Sequence, residues 1–115
     1  MPALIITTNA SFTDEVLKEL LPQLSKSVAE ALHKPEHYMC VGVTKASMMI
    51  FGGSDEPCAF TTLSSIGSIN RKSNEKVSAI VCDLLQKYLK IAPSRTYIQF
   101  TDSAPENFGH NSSTF

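Results

Sequence analysis

Apolar and polar positions follow two rhythms along this chain, and the switches between them mark its elements. Residues 3–8 are apolar or β-branched and stop at Asn9 and Ala10, which predicts a strand followed by a turn. Val16, Leu17, Leu20, Leu21, Leu24, Val28, Ala31 and Leu32 then recur at spacings of three and four, the pattern of an amphipathic helix. Ser11, three residues before Asp14, offers a loose capping box at its start. Pro22 removes one N–H inside this helix and predicts a kink or a division near residue 21. Pro35 ends it, because the residue ahead of a proline is driven out of the helical region.

The run from Tyr38 to Thr44 predicts a second strand, and Met48 to Phe51 a short third that stops at Gly52 and Gly53. A polar loop over 54–57 leads to a strand over 58–66, which Gly67 breaks. From Asn74 a second amphipathic helix carries Val77, Ile80, Val81, Leu84, Leu85, Tyr88 and Leu89, and it ends before Pro93. Thr96 to Thr101 is the last predicted strand. The apolar positions of the second helix repeat those of the first about 60 residues on, Leu20 with Ile80 and Leu24 with Leu84. Ala92 and Pro93 likewise mirror Lys34 and Pro35. The expected fold is α/β: two βαβ pseudo-repeats in one mixed sheet, each with a right-handed crossover, both helices on one face. The opposite face then has nothing to cover it, so it either holds a ligand or packs on copies of itself.

Composition narrows this further. A length of 115 residues fits one domain, 1–115, and 43% hydrophobic against 18% charged residues is too apolar for a disordered chain. A net charge of −1 provides no field for gathering phosphates, so nucleic acid is not an expected partner. The N-terminus lacks the basic start of a signal peptide, and no apolar run approaches the ~20 residues that span a bilayer. The expectation is a cytoplasmic protein without membrane insertion. Cys40, Cys58 and Cys82 are odd in number and widely spaced, which argues for buried thiols and against a disulfide scaffold, a zinc knuckle or a CxxC pair.

Other sparse motifs carry little. His33 and His37 would aim at one metal on a helix, but Pro35 between them breaks that geometry, so no metal site is expected. Gly52 and Gly53 lack the lysine and serine of a phosphate loop and read as a turn. Arg71, Lys72 and Lys76 read as a solvated face. Asn9 and Asn111 begin glycosylation triplets, which stay bare in a chain without a secretory signal.

Taken together, Pro2 directly after the initiator, Lys34 with Pro35, the run from Phe51 to Ala59, Ser65 to Gly67, Tyr97 and the terminal Asn111 to Phe115 make the whole chain resemble the macrophage migration inhibitory factor family. That family lies within the N-terminal-proline tautomerase superfamily. The extra residues 70–74 after Gly67 look more like its parasite members than its vertebrate ones. The resemblance implies a homotrimer in which three sheets enclose a barrel-like interior. It also implies keto-enol tautomerisation of small aromatic α-keto acids such as phenylpyruvate, or of a dopachrome-like substrate, without a cofactor.

Residue by residue, the resemblance makes Pro2 the catalytic base once Met1 is removed. A free terminal amine has a pKa near 7.7 to 8.0, and burial or a nearby cation lowers it, so the amine is neutral at pH 7 and able to carry a proton. Lys34 becomes the pocket lysine, Ile66 the backbone contact to the substrate carboxylate, and Tyr97 the tyrosine supplied by a neighbouring subunit. Phe108 and Phe115 become apolar walls. Gln99 replaces the family's usual asparagine, His110 replaces a tryptophan, and Thr61 removes the vertebrate CxxC that begins at Cys58. The plainer alternatives are a solvated helix-end charge for Lys34 and a half-buried strand aromatic for Tyr97. The competing function is a cytokine-like protein that leaves the cell without a signal peptide, binds a host cell-surface receptor and keeps only vestigial catalysis.

Overall fold

A computed structural model describes residues 1–115. Its elements in chain order are β1 (Ala3–Thr8), α1 (Asp14–Leu32), β2 (Cys40–Lys45), β3 (Ala59–Ser65), α2 (Arg71–Leu89), β4 (Thr96–Asp102), β5 (Gly109–His110) and β6 (Ser113–Thr114). Short 3-10 turns at Glu36–Tyr38, Pro93–Arg95 and Pro105–Asn107 lead into β2, β4 and β5. The first four strands form one mixed sheet in the order β2-β1-β3-β4. β1 runs parallel to β2 and β3 parallel to β4, while β1 and β3 meet antiparallel at the centre.

Each half is therefore a βαβ unit, as the patterning predicts. The offset between the halves is 57 residues rather than 60: buried Leu20, Leu24, Val28 and Leu32 of α1 answer to Val77, Val81, Leu85 and Leu89 of α2. The same shift pairs His33 with Lys90, the left-handed residues that close the two helices at φ 56° and 59°. It also pairs Pro35 with Ala92, one place away from the expected match to Pro93. Three residues is nearly one helical turn, so the wrong offset still lands apolar on apolar.

Alternation along β1 and β3 decides what the helices cover. Leu4, Ile6 and Thr8 on β1, with Ala59, Thr61, Leu63 and Ser65 on β3, are fully buried under both helices. Leu4, Ile6, Ala59 and Leu63 belong to one apolar cluster with the buried residues of α1 and α2, so both helices lie on the same face. The other face stays open. Across it run Gly42, Ile5, Thr62 and Gln99 in one row and Thr44, Thr7, Phe60 and Tyr97 in the next, with Ile5 39%, Phe60 40% and Tyr97 62% exposed.

Several local expectations need correction. Thr13, not Ser11, caps α1, its hydroxyl accepting from the Val16 N–H at 3.3 Å. Pro22 does not divide α1 into two elements: the helix runs unbroken for 19 residues. Pro22 and Lys18, the residue whose carbonyl loses its partner, are both exposed, so water takes the missing bond. Asn70 caps α2 by accepting from the Ser73 N–H at 2.9 Å, so residues 71–74 are its first turn and the helix starts before Asn74. Tyr38 lies in a 3-10 turn ahead of β2.

Met48 to Phe51 is not a strand. Its one ladder contact is the bridge from Phe51 to Ser54 around Gly52 and Gly53, whose φ values of 61° and 78° fit a tight reversal. Side chains, rather than a neighbouring strand, take up the carbonyls of this segment. The Arg95 guanidinium donates to the carbonyls of Phe51, Ser54, Glu56 and Pro57 at 2.9 to 3.0 Å and lies 5.3 Å from the Phe51 ring centroid. Asn9 adds bonds to the Met49 and Asp55 carbonyls at 2.9 and 3.1 Å and accepts from the Cys58 N–H at 2.9 Å.

Arg95→Ala removes four charge-assisted bonds and leaves the Pro57 carbonyl without a partner in the chain, while those of Phe51, Ser54 and Glu56 each keep one; it should cost on the order of 2–3 kcal/mol, read as a lower urea midpoint at fixed protein concentration. Arg95→Lys keeps the charge without the planar fork and should recover less than half of the loss.

Candidate active site

The N-terminal end of β1 and the C-terminal hairpin together make a small hollow. Pro2 is buried one residue ahead of β1, and its carbonyl accepts from the Cys40 N–H at 3.0 Å, which ties it to the start of β2. Asn111 and Ser112, both at positive φ (50° and 64°), form a two-residue turn of the kind that matches strand twist. It pairs His110 with Ser113 and Gly109 with Thr114 and brings Phe115 back to Phe108, ring centroids 6.2 Å apart. This hairpin closes over the Glu36–Tyr38 turn, where Tyr38 meets Phe115 edge-on at 5.9 Å.

The resulting cavity, about 180 Å³, has Met1, Pro2, Ala3 and Cys40 on the strand side and Phe108, His110 and Phe115 on the hairpin side. His37 and Tyr38 complete its edge. It is small against the roughly 300–1,000 Å³ of a typical ligand pocket, and it opens to solvent on one side.

Electrostatically the floor of the cavity disfavours a charged amine. The terminal amine of Met1 lies below the ordinary 8.0, first because burial strips its water and second because the Lys34 ammonium repels it. Lys34 sits just beyond the left-handed end of α1, where its N–H reaches back to the Ala29 carbonyl at 3.0 Å. Its Nζ donates to the Ile66 carbonyl at 2.7 Å, so the ammonium is tethered to the end of β3 with two protons left for another acceptor. The turn after Ile66 is fixed by Gly67 at φ 77°, whose N–H donates to Asp102 Oδ1 at 2.9 Å. Gly67 is needed for its backbone angle rather than for room, since a Cβ there would stand an ordinary 3.9 Å from Lys34 Nζ.

Of the expected site residues, the chain thus brings Pro2, Phe108 and Phe115 into one cavity, with Lys34 held close enough for its charge to act on the terminal amine. Ile66 holds Lys34 through its carbonyl. Tyr97 and Gln99 lie elsewhere. They project from the open face of β4, at the sheet edge opposite β2. Tyr97 packs on Phe51 with centroids 4.7 Å apart and borders a second, apolar hollow of about 350 Å³ with Met49, Ile50 and Phe60.

His37, Tyr38 and Cys40 are cavity residues that the patterning did not single out. The signal for Tyr38 and His37 was Pro35, which favours a turn immediately after it rather than a strand from Tyr38 onward. The two hollows are related by the 57-residue shift: Pro2 and Cys40 of the first answer to Ala59 and Tyr97 of the second.

The whole chain, residues 1–115, matches the family model described as macrophage migration inhibitory factor. The macrophage migration inhibitory factor of Xenopus tropicalis is 41% identical, the match covering all of this chain and 99% of the relative. The Brugia malayi homologue is 38% identical with the same coverage. Among solved structures, the macrophage migration inhibitory factor of Toxoplasma gondii has a TM-score of 0.95 at 34% identity, over 98% of this chain and 99% of that one. With the fold, the full-length match and the relatives in agreement, the chain belongs to the macrophage migration inhibitory factor family.

Proposed function

We propose that this protein is a keto-enol tautomerase for small aromatic α-keto acids or dopachrome-like compounds, with Pro2 as its base. The observation that carries this reading is the environment at the chain start, where burial and Lys34 both push a terminal amine toward its neutral form. Met1 must be removed first. While it is attached, the Pro2 nitrogen is an amide with no basicity.

In the reaction, the freed Pro2 nitrogen takes a proton from the carbon beside the keto group, and the C–H electron pair moves into the new C=C bond as the carbonyl oxygen gains charge. The same nitrogen then returns the proton to that oxygen, which gives the enol, and the reverse sequence restores the ketone. One group can serve as base and acid when its pKa lies near the working pH. The tethered Lys34 ammonium and the backbone at Ile66 hold the substrate carboxylate, and Phe108 and Phe115 flank the ring.

Tyr97 and Gln99 enter this scheme from a neighbouring copy. The uncovered sheet face and the exposed Tyr97 hollow support a homotrimer in which the second hollow of one subunit docks beside the Pro2 cavity of the next. Such head-to-tail contacts close into a ring when the rotation allows. A second reading, favoured by the name shared by the relatives, is signalling through a cell-surface receptor. It predicts saturable binding of the labelled protein to intact cells that survives Pro2→Gly.

In protein shown by intact mass to lack Met1, Pro2→Gly should lower kcat/KM for phenylpyruvate by about 10²-fold or more; near-normal turnover would sink the tautomerase reading. The acid limb of kcat/KM should fall below the ordinary amine range, with activity rising as pH increases and the amine loses its proton. Lys34→Gln removes the repulsion and should move that limb to higher pH. Mixing Pro2→Gly with Tyr97→Ala subunits, each inactive alone, should restore activity after subunit exchange, because a mixed ring contains an intact Pro2 beside an intact Tyr97.

A further inference from the structure

Laid side by side, the two halves of the chain differ in how each fastens the reversal that borders its hollow. The 3-10 turns Glu36–Tyr38 and Pro93–Arg95 are counterparts, so Tyr38 occupies the place of Arg95. Each stands beside a tight reversal whose two central residues have positive φ, Gly52 and Gly53 next to Arg95, Asn111 and Ser112 next to Tyr38. Arg95 holds its reversal by four hydrogen bonds, and Asn9 adds more. In the other half a phenol ring takes the place of the guanidinium. It meets His110 and Phe115 edge-on, with centroids 6.1 and 5.9 Å away.

No hydrogen bond joins residues 104–115 to the rest of the chain. The last such tie is the Ser103 N–H donating to the Ser65 carbonyl at 2.8 Å. Beyond it, Asn107 donates to Ala104, Phe108 to Pro105 and Phe115 to Phe108, all within the segment itself. Residues 109–115 are exposed, and the two strands are two residues each. A lone two-stranded hairpin is marginally stable in water, and a segment with exposed backbone bonds and few buried contacts opens more readily than a core strand.

This loosely held segment is also one wall of the Pro2 cavity, to which it gives Phe108, Gly109, His110 and Phe115. Phe108 and Phe115 meet edge to face, centroids 6.2 Å apart, so no slot for a flat ring lies between them while the hairpin is in place. We propose that the β5–β6 hairpin is a lid, hinged between Ser103 and Phe108 and latched by Tyr38, that swings out to admit a small aromatic carboxylate to the Pro2 cavity. The ligand class rests on the tautomerase reading, whereas the hinge and the latch do not. Opening gives up ring contacts, each worth about a two- to tenfold shift in an equilibrium. Moving the reversal beside Arg95 would break charge-assisted bonds, which are stronger, so that wall stays fixed.

The test compares Met1-free wild type, Tyr38→Ala and Tyr38→Phe in their assembled state. Amide hydrogen exchange reads the hairpin, and NMR line shapes read the association rate of 3-phenylpropionate, which has the ring and the carboxylate without the keto group. In Tyr38→Ala, loss of both contacts should speed exchange of the amides in 108–115 by about fivefold or more, with those of β1 to β4 unchanged. Association should quicken by the same factor, because both rates follow the fraction of open lid. Tyr38→Phe keeps the ring and should stay close to wild type in both.

Unchanged hairpin exchange in Tyr38→Ala, or an increase spread over the whole sheet, overturns the latch. Faster exchange without faster association overturns the lid. If none of the three proteins binds 3-phenylpropionate, the ligand class falls, while the exchange data still decide whether Tyr38 holds the hairpin. Loss of turnover in Pro2→Gly is a separate measurement, so the lid and the tautomerase reading can fail independently.

Discussion

The molecule is governed by the inequality of its two sheet faces. Both helices lie on the side where Leu4, Ile6, Ala59 and Leu63 point, and the cluster there is fully closed. No helix covers Ile5, Phe60 and Tyr97 on the other side. Burial of apolar area is the main favourable term in folding, so one closed face is enough to define the fold. The open face leaves several large side chains exposed. Tyr97 and Gln99 lie on that face two strands away from β1, at whose start Pro2 sits.

The site itself is assembled from ends rather than from the middle of elements. Pro2 precedes β1, Lys34 follows α1, Ile66 follows β3, and His110 and Phe115 belong to the last seven residues. Ends are poor places to hold a side chain unless something else ties them down. Here each is tied: Pro2 through its carbonyl to Cys40, Lys34 through Ile66, and the terminal segment through its own hairpin. The loop around Phe51, which supports Tyr97, is gathered by the single guanidinium of Arg95. Preorganisation in this fold therefore rests on a few side-chain-to-backbone bonds at the borders of a conventional core.

Much of this architecture was legible in the patterning, and its gaps have physical causes. Both helices and the four main strands appear because each buries one face, which leaves a periodic trace. The Met48–Phe51 segment looks like a strand because it is apolar and ends in glycines. Whether its carbonyls meet a ladder or the distant Arg95 is a tertiary fact that local composition does not contain. The Thr13 and Ser11 hydroxyls are equally suitable caps by residue type, and the register of the helix chooses between them. The hairpin was missed because two-residue strands have too few positions to show alternation, although Asn111 with Ser112 is a credible turn pair. The resemblance supplied Pro2, Lys34, Phe108 and Phe115. From the sequence His37 reads only against a metal site, and its place on the cavity edge depends on the turn that follows Pro35.

The duplication leaves one asymmetry that no repacking can erase. Under the 57-residue shift, the counterpart of Pro2 is Ala59, which lies inside the chain with its nitrogen locked in a peptide bond. A polypeptide has a single amino terminus, so two halves built alike cannot both own a basic backbone nitrogen. The second half fills its equivalent hollow with the aromatics Phe51, Phe60 and Tyr97 instead, so the twofold-like architecture has the start of the chain in one of its two hollows and not in the other.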